Sequence, residues 1–153
     1  MTHDHAACRG RVLAAVAEAC AARRLRLTPA RACGLEALLE SHRAMTAYEL
    51  LDRLAAAGLG SQPPVVYRAL DFLVGNGFAH RIERLGAYAA CTGGSGAHRA
   101  GFLVCRGCRR VAETPLARAP HGLAAEAAAI GFAIERTVVE AVGLCARCRE
   151  AAS

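Results

Sequence analysis

The chain has 153 residues, a formal net charge of +6, eight cysteines and no tryptophan. No uninterrupted apolar run approaches the ~18 residues of a membrane span, and the first residues lack the apolar core of a secretion signal, so we expect a cytoplasmic protein. Thiols stay reduced there, which favours metal or redox chemistry over structural disulfides. The positive charge suits a polyanionic partner, nucleic acid before membrane, without proving one.

Four helices are predicted in the first half of the chain. Apolar residues recur there at helical spacing, and Thr28 followed by Pro29 is typical of a helix start. Thr46 is expected to cap the third helix, and Pro63-Pro64 opens the fourth. The predicted ranges are about 7–24, 29–41, 47–57 and 65–75.

A β-hairpin is predicted next, from two short extended segments at 78–84 and 87–91 around a turn at Leu85-Gly86. Three of the predicted helices, together with this hairpin, form a winged helix-turn-helix. The Gly-rich stretch 92–97 is the best linker in the chain. We therefore predict a DNA-binding domain over 1–91, a hinge over 92–98 and a second domain over 99–153.

The second half reads as a small α/β unit with a Cys-x-x-Cys motif at each end. A strand at 102–104 leads into the first motif, and 109–113 is a returning strand. A helix follows from about 117 to 130, and the largely alternating stretch 132–142 predicts another strand. The fold class is therefore α+β.

The two Cys-x-x-Cys motifs predict a structural zinc site. Four thiolates from two knuckles can complete a tetrahedron, and four sulfurs leave no open position for catalysis. Zinc would supply folding free energy on the order of 10 kcal/mol, which a small Ala-rich domain lacks. A redox dithiol, or disulfides in an exported protein, are the competing interpretations. The predicted ligands are Cys105, Cys108, Cys145 and Cys148.

Candidate DNA contacts cluster at the start of the fourth helix and on the hairpin. In a helix-turn-helix, the N-terminal residues of the second helix meet base edges. Arginine can bind a guanine edge through two hydrogen bonds, and tyrosine can contact a thymine methyl group or a phosphate. Taken singly, each arginine could instead be an ordinary solvated residue. The candidates are Tyr67, Arg68, Arg81, Arg84, Arg26 and Tyr48.

The sequence resembles the ferric uptake regulator family and, within it, the zinc uptake regulator branch. The resemblance spans about residues 25–148. It is carried by RLTPARACGLEALL, TAYELLDRL, PPVVYRALDFLVGNGFAHRIE, YAAC, HRAGFLVCRGCRRVAE and GFAIERTVVEAVGLCARC. It implies that the second domain is a dimerisation domain, and that a metal-loaded homodimer binds an AT-rich palindromic operator and represses zinc-uptake genes.

The resemblance also implies a second, regulatory metal site at the hinge, formed by His80, Cys91, His98 and Glu113. One thiolate, two imidazoles and one carboxylate suit Zn²⁺, giving about two zinc ions per monomer. Iron-sensing relatives carry an HHDH cluster ahead of the first Cys-x-x-Cys motif, and this chain has HRAG there.

Three alternatives remain open at this point. The chain could be an iron or manganese regulator on the same fold, a Cys-x-x-Cys redox protein, or a zinc-stapled adaptor without a DNA role. An enzyme is not expected, because no nucleophile–base pair, phosphate loop or paired carboxylates are evident. A third metal site could draw on the remaining histidines, His3, His5, His42 and His121.

Overall fold

The computed structural model describes residues 5–41, 43–93, 100–116, 122–135 and 137–151. Its first part holds four helices followed by a two-stranded antiparallel hairpin, the wing. The helices are α1 (His5–Ala22), α2 (Pro29–Ser41), α3 (Ala47–Ala56) and α4 (Pro63–Gly75). The wing strands are β1 (Ala79–Ile82) and β2 (Ala87–Ala90), joined by a 3₁₀ turn at Glu83–Leu85. The predicted winged-helix order is therefore present.

The helical core follows from leucines that recur on the inward faces of α2, α3 and α4. Leu35, Leu54 and Leu73 are fully buried, and Phe78 closes the cluster just before the wing. Because α2, α3 and α4 all pack against one another, the outer face of α4 stays in solvent. The core thus holds α4 in place while leaving the exposed side chains near its start accessible.

Local sequence signals explain where the helices begin and end. Thr46 Oγ1 accepts a hydrogen bond from the Glu49 amide at 3.3 Å, and the Glu49 carboxylate accepts one from the Thr46 amide at 2.6 Å, a complete capping box. Helix α4 begins at Pro63, two residues earlier than predicted, since proline suits a first helical turn. Helix α1 ends at Ala22 because Arg24 adopts a left-handed φ of 55° and the Leu25 amide bonds back to Cys20.

The second part is a three-stranded sheet of order β4-β3-β5 with two short helices. Strand β3 pairs antiparallel with β4 and parallel with β5. The elements are β3 (Ala100–Cys105), β4 (Val111–Pro115), α5 (Leu123–Ala129), β5 (Val139–Gly143) and α6 (Ala146–Glu150). Residues 94–98 of the predicted hinge, residue 99 and residues 117–121 of the predicted helix lie outside the described residues.

The strand predicted over 132–142 is wrong in its first part, because residues 132–135 are not extended in a sheet and β5 covers only Val139–Gly143. The reason is the length of the neighbouring strand. All five residues of β5 pair with β3 from Gly101 to Cys105, and β3 itself begins only at Ala100. Residues before Val139 therefore have almost no strand left to pair with.

The two parts share a second apolar cluster, which joins the wing to the sheet. Ile82 and Ala87 from the wing pack with Phe102 and Val104 of β3, and Ala44 from the α2–α3 connection completes the cluster. Within the described part of the chain, none of the helices is long and apolar enough to cross a membrane.

Replacing the cap residue tests this account of the helical core. Thr46→Ala removes the side-chain acceptor of the Glu49 amide, so we expect a loss of about 1 kcal/mol in the free energy of unfolding. Thermal unfolding of the zinc-loaded protein measures this loss. Ser61→Ala, an exposed position just before α4, is the matched control and should leave the midpoint unchanged. Equal midpoints for both variants would contradict the assignment of the cap.

Candidate metal centres and nucleic-acid surface

The parallel pairing of β3 and β5 brings the two cysteine knuckles to one end of the sheet. Cys105 ends β3 opposite Gly143, and two residues further on Cys145 precedes α6. One ligand atom from each of Cys105, Cys108, Cys145 and Cys148 lies within 4.8 Å of the others. Cys108 Sγ and Cys145 Sγ are 3.8 Å apart, close to the ~3.8 Å sulfur–sulfur edge of a tetrahedron with ~2.3 Å zinc–sulfur bonds.

Backbone amides stabilise a thiolate within this cluster. The Cys145 amide donates to Cys105 Sγ at 3.3 Å, and this bond, with those from Cys108 and Gly107, lowers the pKa of Cys105 to about 6. Thiol hydrogen bonds to Cys145 and Cys105 raise the pKa of Cys148 to about 12. Four sulfurs this close cannot all ionise without a cation between them, so the cluster fits a zinc ion.

The turn inside the first knuckle needs a glycine. A Cβ placed on Gly107 would lie 3.1 Å from Cys148 Sγ and 3.3 Å from Leu144 Cδ2, closer than ordinary van der Waals contact. The sequence CRGC therefore lets the second knuckle approach the first. Four sulfur donors fill a tetrahedral site, so this centre can stabilise the fold but offers no position for a reacting molecule.

A second cluster of metal-binding donors lies where the wing meets the sheet. His80 comes from β1, Cys91 follows β2 and Glu113 lies on β4, and their ligand atoms lie within 4.8 Å of one another. Glu113 Oε1 is 3.6 Å from His80 Nε2 and 3.8 Å from Cys91 Sγ. The side chains of His80 and Glu113 are only 13% and 9% exposed. A nitrogen, a sulfur and an oxygen donor in a shielded place fit zinc.

Neighbouring residues orient this second cluster. The Thr92 amide and hydroxyl donate to Glu113 Oε2 at 2.8 and 3.1 Å, which turns Oε1 toward Cys91 and His80. The His80 ring packs against the Phe102 ring with their centroids 4.8 Å apart. Such outer contacts typically fix the orientation of metal ligands. His98, the fourth predicted ligand, lies outside the described residues.

The structure places all six candidate DNA contacts on the surface of the first part of the chain. Tyr48 is 72% exposed and Tyr67 is 45% exposed. Arg68 is exposed near the start of α4, whereas Arg81 and Arg84 are exposed on the wing, and Arg26 is exposed before α2. Arg81 Nε lies 3.4 Å from the Glu83 carboxylate. All six side chains are therefore accessible for contact with DNA.

Arg23, which directly follows α1, has a structural partner. Its guanidinium donates to the Asn76 side chain at 2.8 Å and to the Asn76 carbonyl at 3.2 Å, and it lies over the Phe78 ring. It therefore ties α1 to the end of α4. Sequence alone gave no signal for this pair, because its members are separated by 53 residues.

The chain is similar in sequence and in structure to zinc uptake regulators. No family model matches the chain. It is 39% identical over 140 residues to the zinc uptake regulation protein of Escherichia coli (strain K12), covering 91% of this chain and 82% of that protein. A zinc uptake regulator solved in complex with zinc and DNA has a TM-score of 0.86 at 37% identity, covering 94% of this chain and 97% of that one.

XcZur is similar in both of its solved forms, but to different degrees. The holo form gives a TM-score of 0.80 at 41% identity, covering 90% of this chain and 96% of that one. The apo form gives only 0.53 at 40% identity, covering 92% and 97%. The backbone of this chain is thus more similar to the holo form of XcZur than to its apo form. Together with the identity to the Escherichia coli protein, this shows that the chain belongs to the zinc uptake regulator branch of the ferric uptake regulator family.

Proposed function

We propose that the chain is a zinc-dependent transcriptional repressor, which binds AT-rich palindromic operators of zinc-uptake genes as a homodimer in the cytoplasm. The observation that carries this proposal is the meeting of His80 and Cys91 from the wing with Glu113 from the sheet. These side chains belong to the two predicted domains, 1–91 and 99–153. A site assembled from both can exist only when the domains take one relative position.

A zinc ion bound by His80, Cys91 and Glu113 would stabilise that one arrangement of the domains. His98 is the proposed fourth ligand. The chain's own contacts define the arrangement: Ile82 packs against the sheet, and Thr92 holds Glu113 in place. A ligand shifts a conformational equilibrium only by its preference for one state, and a cross-domain site has such a preference by construction. Likeness to holo XcZur, rather than to its apo form, supports this arrangement as the metal-bound one.

The proposal of a homodimer rests on the face of the C-terminal sheet that points away from the wing. Leu103 is 53% exposed, and its register partners Ala112 and Ala141 on the adjoining strands are also exposed. They line an apolar hollow of about 330 Å³. Further exposed apolar residues in this domain are Ile130, Phe132 and Val142. A second copy of the chain would cover this surface and supply the two-fold symmetry that a palindromic operator requires.

Removing one ligand of the four-cysteine site should destroy the second domain. Cys105→Ser replaces the buried thiol at the end of β3, and the loss of metal binding removes folding free energy on the order of 10 kcal/mol. We expect loss of the chelator-resistant zinc and of the dimer, measured by metal analysis and light scattering. Cys33→Ser, in α2, should keep both. A dimeric Cys105→Ser protein with full zinc would contradict the structural role.

Removing a ligand of the cross-domain site should uncouple DNA binding from zinc while the fold survives. Cys91→Ser or His80→Ala should remain a folded dimer and keep one chelator-resistant zinc per chain. Operator affinity should fall at least tenfold at nanomolar free zinc, since the metal no longer favours one domain arrangement. Fluorescence anisotropy against buffered free zinc measures this. The account fails if ferrous iron, but not zinc, restores operator binding of the wild type.

Two arginines should affect DNA binding in different ways. Arg68→Ala should reduce discrimination against a mismatched operator by roughly ten- to a hundredfold, the value of one two-pronged base contact. Arg84→Ala removes the same charge from the wing, so it should weaken binding to all DNA sequences alike. The slope of log affinity against log salt concentration should fall in magnitude by about one. Titrations on operator and scrambled DNA at several salt concentrations separate these effects. Equal behaviour of the two variants would refute the assignment of Arg68 to base contact.

A further inference from the structure

One row of residues across the C-terminal sheet carries the contacts with the wing. Phe102 of β3 is in register with Glu113 of β4 on one side and with Glu140 of β5 on the other. Residues in register on adjacent strands point to the same face of a sheet. Phe102 is buried and both glutamates are half-buried, whereas the neighbouring row, Ala112, Leu103 and Ala141, is exposed.

All three members of the row contact the wing or the residue that follows it. Glu113 lies beside His80 and Cys91 at the base of the wing, and Phe102 packs against the His80 ring. At the other end, one Glu140 oxygen accepts a hydrogen bond from the Glu83 amide at 2.8 Å, and its second oxygen accepts one from the Arg84 amide at 3.1 Å. Both carboxylate oxygens of Glu140 therefore accept hydrogen bonds from the turn that joins β1 to β2.

The dimensions of the row and of β1 agree. Strands in a sheet are ~4.8 Å apart, so Glu113 and Glu140, two strands apart, are separated by about 10 Å. Three residues of extended chain, from His80 to Glu83, also cover about 10 Å at ~3.3 Å each. Strand β1 can therefore lie across the sheet with its two ends held by the two edge strands.

We propose that Glu140 is a positioning residue for the regulatory site: its carboxylate fixes the tip of the wing to β5 and so presents His80 to Glu113. The inference rests on the proposed function, because it assumes that His80 and Glu113 share a metal ion. Hydrogen bonds from two successive amides to one carboxylate are charge-assisted and directional, so they define the angle of the wing as well as its distance from the sheet. Glu140 itself belongs to neither cluster of metal-binding donors found among the described residues.

Glu140→Gln tests this role with little change of shape. The substituted side chain keeps one oxygen acceptor but turns an NH₂ group toward a backbone N–H, so one of the two hydrogen bonds is lost. Glu150→Gln removes the same charge from an exposed position of the same domain and is the matched control. The full-length zinc-loaded dimer is titrated with a competing chelator, and exchange of the Glu83 and Arg84 amides is followed by NMR.

We expect Glu140→Gln to raise the free zinc that half-fills the exchangeable site by about tenfold, the effect of losing one hydrogen bond to a charged group. Exchange of the two amides should become faster, while the chelator-resistant zinc stays at one per chain. The control should match the wild type. Unchanged amide exchange, or a zinc affinity equal to that of the control, would overturn the proposal. Loss of the chelator-resistant zinc would also overturn it, because Glu140 would then be needed for the fold itself.

A second variant repeats the test from the side of the wing. Glu83→Pro deletes one donor amide at the first position of the 3₁₀ turn, where proline fits. It should weaken the exchangeable zinc in the same direction, and wild-type zinc affinity in this variant would count against the proposal. Failure of the proposed function has a different signature, because wild-type protein that does not bind DNA with zinc would leave the amide-exchange result intact.

Discussion

The wing lies across the sheet of the second domain, and this contact determines what the rest of the molecule can do. His80 and Cys91 on one side and Glu113 on the other lie close together only in this position. The apolar part of the contact, Ile82 against Phe102 and Val104, supplies attraction without much direction. Direction comes from polar groups: Thr92 on Glu113 at the base of the wing and Glu140 on the turn at its tip.

The two clusters of metal-binding donors differ in composition and in the parts of the chain that supply their ligands. The four cysteines come from one domain, and amide donors stabilise the Cys105 thiolate. That arrangement favours a permanent ion that completes a small fold. The second cluster mixes three donor types and draws them from both the wing and the sheet, so its affinity includes the free energy of bringing these two parts together. A site with that added cost binds more weakly and exchanges more easily, as a sensor needs.

A further contact joins the four-cysteine knuckle to the DNA-binding part of the chain. Arg109, which follows Cys108 with a left-handed φ of 60°, lies 3.8 Å from the Glu49 carboxylate of the α3 capping box. The Ala44 amide reaches the Arg109 carbonyl at 3.4 Å. Hydrogen bonds from Thr46, with a smaller effect from Arg109, lower the pKa of Glu49. The four-cysteine site thus lies next to the start of α3 as well as beside the sheet.

Most of the fold could be predicted because its signals are local. Thr46, Pro63 and the Leu spacing of α2 to α4 mark helices, and the two Cys-x-x-Cys motifs mark a metal site without any knowledge of the sheet. The role of Glu140 could not be predicted, since it depends on the parallel pairing of β3 with β5 across about forty residues, which leaves no periodic trace. The same pairing limits β5 to Val139–Gly143, so the alternating residues before Val139 gave a misleading strand signal.

One metal ion is proposed to take ligands from both the wing and the sheet. X-ray absorption fine structure of zinc, recorded with one and then two equivalents bound per chain, tests it most directly. The account predicts that the first equivalent shows only sulfur at ~2.3 Å, and that the difference spectrum of the second shows one sulfur with nitrogen and oxygen at ~2.0–2.2 Å. A second equivalent with no sulfur neighbour, or with sulfur alone, would contradict it.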